Sequence, residues 1–223
     1  MPRRDAAGSP AAGSRAVPDA PGAALVFDLR GTAADGDRLE LRWPAGHRVV
    51  VSGLPGSGKS TLMRRAVTAV PGAPLIRIDS QDMRERWARR LPGWVPYAVY
   101  RPAVRLAHYL HLGRALRSSA SVIVHDCGRT AWVRRWLGWD ARRRGGQLHL
   151  VVLDVPPGTA LAGQRGRGRT VSGYAFARHR RAVARLVAQV AAGHLPEGCA
   201  SAALLDRASA GALRGIGFGF GDG

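Results

Sequence analysis

The chain has 223 residues, 46% of them hydrophobic, enough for one sizeable core of ordinary globular composition. No apolar run reaches the ~20 residues that a bilayer span needs, and the opening segment MPRRDAAGSPAAGSRAVPDAPGAA lacks the apolar stretch of a signal peptide. A cytoplasmic setting is expected, with Cys127 and Cys199 as free thiols, because they form no CxxC pattern. The formal charge of +19, from 34 basic and 15 acidic residues, points to a polyanionic partner.

Residues 1–24, rich in Ala, Gly, Pro and Ser, read as a disordered tail. In residues 25–47, Leu25–Leu29 and Arg38–Trp43 are short β-type runs around the turn-prone Ala34–Asp37. That pattern predicts an antiparallel β-hairpin as an N-terminal extension. Arg48–Ser52 is the first core strand, followed by a glycine loop and a helix from Lys59 to about Val70, stopped by Pro71-Gly72.

Leu75–Asp79 is the second core strand. Residues 81–118 form a helical insertion interrupted near Pro92, Pro96 and Pro102. Ser121–Asp126 is the third strand, 131–144 a helix, and Leu148–Val155 the fourth strand, broken by Pro156-Pro157. A helical turn from Thr159 leads to an arginine-rich lid at 164–172, and Ser172 caps a long basic helix to about Ala192. Ala202–Asp206 is the fifth strand; a short helix to Arg214 and a flexible tail, 216–223, complete the chain.

Apolar strands alternating with helices predict an α/β fold with a mainly parallel five-stranded sheet in a three-layer sandwich over 48–215. The loop between the first strand and its helix is Gly53-Leu54-Pro55-Gly56-Ser57-Gly58-Lys59-Ser60-Thr61. It satisfies G-x-x-x-x-G-K-[ST], the P-loop of nucleoside triphosphatases, in the strand–loop–helix context that motif requires. The glycines turn backbone amides toward phosphate oxygens, and the helix N-terminus adds its dipole. Lys59 is the single lysine of the chain. Its compact ammonium suits the β- and γ-phosphates in a way an arginine fork does not. Ser60 would ligate Mg²⁺, and Thr61 supports the loop.

The P-loop, the acid in Ile78-Asp79-Ser80-Gln81-Asp82-Met83-Arg84, the aspartate of Val124-His125-Asp126 and the lid Gln164-Arg165-Gly166-Arg167-Gly168-Arg169 occur in that order. In this the chain resembles the small P-loop kinases of the polynucleotide kinase, zeta-toxin and chloramphenicol phosphotransferase group, often described as AAA-family ATP-binding proteins. The resemblance covers roughly 48–207. It implies an ATP-dependent phosphotransferase using Mg²⁺. It places a catalytic base at Asp79, with Asp82 second, and lid arginines Arg165 and Arg169 over the transferred phosphate. The polynucleotide kinase and zeta-toxin pattern sets its acid three residues before a base, and Gln81 stands there, a departure. A capping role is the other reading of Asp79.

Asp126 occupies the position of a Walker B-like acid, holding Mg²⁺ or making a structural bond, while His125 and Cys127 read as packing residues. In the insertion, Trp87, Trp94, Tyr97 and Tyr100 suit an acceptor wall or packing, and Arg86, Arg90 and Arg101 suit an anionic acceptor. A membrane-surface helix over Val99–Leu112 is weakened by its histidines and breaks.

The basic excess is confined to three segments. Residues 84–117 hold eight arginines against one acid, 129–144 six against one, and 165–185 seven against none. All follow core strands, which favours a nucleotide plus an anionic acceptor; nucleic acid remains a partner without a recognisable binding motif. An ATP-hydrolysing switch or nucleic-acid-associated NTPase is the alternative function. Val171-Ser172-Gly173-Tyr174 echoes an ABC-type signature, but no Asp-Glu pair follows an apolar strand, and no Asn-Lys-x-Asp motif specifies GTP.

Overall fold

The computed structural model describes residues 25–32, 39–67, 74–126, 131–166 and 172–219. Eight strands and seven helices follow in the order β1 (Leu25–Asp28), β2 (Leu39–Trp43), β3 (Arg48–Gly53), α1 (Lys59–Ala66), β4 (Leu75–Ile78), α2 (Ser80–Ala88), α3 (Tyr97–Leu116), β5 (Ser121–His125), α4 (Ala131–Arg143), β6 (Leu148–Leu153), α5 (Pro157–Arg165), α6 (Gly173–Ala191), β7 (Ser201–Leu205), α7 (Arg207–Ala212) and β8 (Leu213–Phe218).

Six strands make one parallel sheet in the order β1-β7-β6-β3-β5-β4. The five expected core strands are all present. β3 and β6 are buried at every position, as the central strands of a sheet covered on both faces must be. One face packs on α3, α4 and α6 through Leu112, Leu116, Val133, Leu137, Leu186 and Val190. The other packs on α1 through Leu62, Met63 and Ala66. No helix of the described residues is long and apolar enough to cross a membrane.

The expected hairpin does not form. β1 pairs in parallel with β7 as a sixth strand of the main sheet, and β2 pairs in parallel with β8 in a separate two-stranded sheet. The physical reason lies at the other end of the chain. Leu213, Ile216 and Phe218 are buried, and with Leu41 and Trp43 they roof α1. The segment expected as the end of a helix and a flexible tail is therefore a strand from Leu213 to Phe218, because its apolar residues have a core to enter. The insertion is two helices rather than several pieces. Pro92 and Pro96 fall in the break between α2 and α3, whereas α3 runs unbroken through Pro102.

At the edge of the sheet where its strands begin, a buried chain of polar side chains crosses three elements. His47 Nδ1 lies 2.8 Å from His149 Nε2, and His149 Nδ1 lies 2.8 Å from Ser201 Oγ. Trp43 stacks on His149, centroids 5.2 Å apart. Burial, reinforced by His47 beside it, pulls the His149 imidazole down to about 3. A histidine kept neutral in the fold but free to protonate at its ordinary pKa when unfolded lets the unfolded state bind the extra proton. Stability is thus complete above pH ~6.5 and falls, by at most about 1.4 kcal/mol per pH unit, as the solution is acidified toward the folded pKa. Urea unfolding midpoints should drop between pH 7 and pH 4.5, and His149→Gln should flatten that slope. An unchanged slope in the variant would remove His149 as the cause.

Candidate functional site

Parallel sheets bind ligands outside the carboxyl ends of their strands, and the P-loop leaves the end of β3 at that edge. Gly53, Gly56 and Gly58 have φ of 148°, 87° and 97°. The first two positions also lack space. A Cβ on Gly53 would meet the Leu153 carbonyl oxygen at 2.8 Å, and one on Gly56 would collide with the Ala160 carbonyl oxygen. Gly58 has open space and serves as the N-cap of α1 in left-handed conformation.

The loop is pinned from outside by α5, where Gln164, 6% exposed, donates its side-chain amide to the Pro55 carbonyl at 2.9 Å. Leu54 packs with Ala160, Phe176 and Val183, tying the same loop to α5 and α6. Sequence reasoning missed Gln164 as a loop contact. Its only signal was its position at the head of the arginine-rich segment.

Within the loop, Lys59 is 3% exposed and donates to the carbonyls of Gly53 (2.8 Å) and Leu54 (2.6 Å). The Ser57 hydroxyl is buried without a hydrogen-bond partner among the described residues, and a phosphate oxygen would satisfy it. Ser60 is buried and Thr61 exposed at the start of α1.

Asp79 sits one residue beyond β4 and is 7% exposed. It is the N-cap of α2, accepting from the Gln81 amide at 2.9 Å, so the capping reading holds. It does more than cap. The His125 Nδ1 lies 2.6 Å from Asp79 Oδ1, and the Ser60 hydroxyl also bonds to the carboxylate. Burial pushes this carboxyl up, but the hydrogen bonds from His125, Ser60 and Gln81 outweigh it and hold the group far below the ordinary carboxylate range. Asp79 is therefore ionised, and His125 must donate from Nδ1.

His125, read from sequence as packing, is instead a hydrogen-bond partner of Asp79. Its place at the end of a central strand beside an expected acid was the available signal. Asp82 lies in the first turn of α2, half-buried.

Asp126 follows β5, with its amide bonded to the Val51 carbonyl at 2.9 Å. Its carboxylate lies 3.6 Å from Nη1 of Arg134, an arginine of α4 only 9% exposed. The structure thus brings together Lys59, Ser60 and Asp79, and sets Asp126 against a buried cation. Ser60 offers a hard hydroxyl oxygen beside the phosphate loop, which suits Mg²⁺, an ion that needs only one or two protein ligands; Asp126, expected with it, has its carboxylate turned to Arg134.

Arg165, the last residue of α5, is exposed. Arg167, Arg169 and Cys127 lie outside the described residues, as does the turn at Ala34–Asp37. The cap at Ser172 is present, its hydroxyl accepting from the Ala175 amide at 3.3 Å. In the insertion, the Arg84 guanidinium lies 4.1 Å from the Tyr97 ring centroid and Tyr97 packs edge-on to Tyr100, whereas Trp94 is 82% exposed.

Residues 49–192 match the family AAA_33, described as an AAA domain. A shikimate kinase of Corynebacterium glutamicum is 39% identical over 74 residues, which are 33% of this chain and 42% of that enzyme. Among solved structures, a gluconokinase of Sinorhizobium meliloti is similar, with 18% identity, 73% of this chain and 83% of that chain covered, and a TM-score of 0.42. So is the tunicamycin resistance protein of Deinococcus radiodurans, with 18% identity, 67% and 84% coverage, and a TM-score of 0.37.

The loop geometry separates two glycines. Gly58→Ala should cost only the left-handed backbone strain, ~1–2 kcal/mol. Gly56→Ala adds a collision with the Ala160 carbonyl and should displace the loop. ATP affinity by calorimetry should fall more than tenfold for Gly56→Ala and distinctly less for Gly58→Ala; equal losses would contradict the packing of α5 on the loop.

Proposed function

From the premise that the chain belongs to the AAA domain family AAA_33, we propose that it is an ATP-dependent phosphotransferase acting on the hydroxyl of a small molecule or of a nucleotide or nucleic-acid end. One observation carries this reading: an ionised carboxylate, Asp79, hydrogen-bonded to the P-loop Ser60 and fixed by His125. A switch protein needs a P-loop; a kinase needs in addition an acid beside the transferred phosphate to hold the acceptor hydroxyl.

The P-loop amides and Lys59 hold the β- and γ-phosphates. Mg²⁺, when bound near Ser60, supplies charge neutralisation to those phosphates. Asp79 orients the acceptor hydroxyl toward the γ-phosphate. Its low basicity suits a loose transfer, in which the hydroxyl surrenders its proton late and positioning matters most. Asp126 steadies the same corner through Arg134. Arg165, exposed at the end of α5, is the lid arginine assigned to the phosphoryl group, and Arg84, Tyr97 and Tyr100 line the acceptor side. The working location is the cytoplasm, where ATP and Mg²⁺ are abundant.

The test is transfer of label from γ-labelled ATP to a pool of metabolites and oligonucleotides. Lys59→Ala should abolish transfer. Asp79→Asn should lower it at least ~10²-fold while ATP binding stays within a few-fold, because asparagine still caps α2. Label released only as free phosphate, stimulated by DNA or RNA, would favour the NTPase. Transfer surviving in Asp79→Asn but lost in Asp82→Asn would reassign the base.

A further inference from the structure

Helices α3 and α4 lie side by side on one face of the sheet. Tyr109 of α3 meets Trp132 of α4 with centroids 5.1 Å apart, and a Cβ on Gly113 would come within 3.9 Å of Trp136. Their inner sides fill the core. Their outer sides are apolar where a solvated helix is charged. Leu106 is 62% exposed, Leu110 52%, Trp132 48% and Trp139 50%.

Val99, 69% exposed, extends the strip. At ~100° per residue, Val99, Leu106 and Leu110 fall within an arc of ~40° on α3. His108 and His111 lie on the far side of that helix, and His108 Nδ1 is buried. Pro102 does not interrupt α3. Both features that weakened a membrane-surface helix at the level of sequence therefore lose their force.

On the two helices that carry this strip the charge beside it is positive. On α3, Arg114 lies ~60° from the centre of the arc, Arg101 and Arg105 fall on the far side, and the helix has no acid. The one acid of α4, Asp140, is paired with Arg48 and Arg144. The Arg143 guanidinium lies 4.6 Å from the Trp139 ring centroid. A symmetric pairing of two copies through this face would set arginine against arginine. A nucleic acid would use the arginines and leave the leucines idle. An anionic lipid surface uses both: leucine and tryptophan enter the boundary of headgroup and acyl chain, and arginines reach headgroup phosphates.

We propose that the outer face of α3 and α4 docks on an anionic phospholipid membrane, lying in the interface without crossing it. The proposal does not depend on the phosphotransfer reading.

Any protein of charge +19 adsorbs to anionic lipid, so the deciding variant keeps every charge. The full chain is sedimented with phosphatidylcholine vesicles, with and without phosphatidylglycerol. Wild type should bind only the vesicles containing phosphatidylglycerol, and Leu106→Ser/Leu110→Ser should bind them about tenfold more weakly, with its thermal midpoint and ATP binding retained. Equal binding by wild type and this variant would reduce the interaction to adsorption by charge and overturn the proposal. So would the absence of wild-type binding, or tighter binding to a single-stranded oligonucleotide that the double variant loses. A second measurement needs no leucine variant: lipid brominated near the headgroup should quench wild-type tryptophan fluorescence, and Trp139→Tyr should lose part of that quenching. No quenching with the protein bound would likewise overturn it.

Discussion

The carboxylate of Asp79 joins three parts of the molecule that are far apart in sequence. Through Gln81 it starts α2, through His125 it reaches the end of β5, and through Ser60 it touches the phosphate loop. A buried carboxylate is tolerated only when its charge is met by donors, and here the donors come from the elements that define the cleft. The start of α2, the end of β5 and the first turn of α1 are thus joined at one group. Moving it would leave a buried charge short of partners and would release both the P-loop serine and α2.

The opposite wall of the loop is set by contact rather than charge. Gly53 is held against the end of β6 and Gly56 against α5, so closely that neither position admits a side chain. Gln164 adds a directional bond to the same wall. The P-loop is consequently clamped between an electrostatic junction on the β4–β5 side and a steric one on the β6–α5 side. Preorganisation of this kind lets backbone donors meet a polyphosphate without first being arranged, which is where such a site gains its effect.

The central strands were readable because they are buried on both faces and so appear as uninterrupted apolar runs. The P-loop was readable because its glycines, lysine and serine are each demanded by one chemical task. What escaped was pairing at a distance. Leu25–Asp28 and Leu39–Trp43 look like the arms of a hairpin because a turn-prone segment separates them. Nothing local reveals that β7 and β8, more than 150 residues later, offer each arm a better edge. His125 failed for a related reason: whether a strand-end histidine packs or bonds depends on the residue across from it, here 46 positions away. For Asp79 the sequence offers a cap or a cleft position as alternatives, and the structure shows a cap whose carboxylate also bonds to His125 and Ser60.

The arginines correct an inference drawn from their spacing. Basic segments that follow core strands suggested a charge focused on the cleft. Helices α3 and α4 both run from the ligand-binding edge of the sheet back to its other edge, and Arg114, Arg142 and Arg143 stand in their last turns, away from the P-loop. Arg178, Arg180, Arg181 and Arg185 lie along α6 with their side chains exposed. Much of the positive charge therefore stands on the exposed surface of the helical layer, while the single lysine is buried in the P-loop. Two different polyanions are addressed by two different geometries. A nucleotide needs a preformed concave cradle with a compact cation at its base. A broad charged surface needs only a convex face whose cations reach outward, and the side chains between them decide what that surface is.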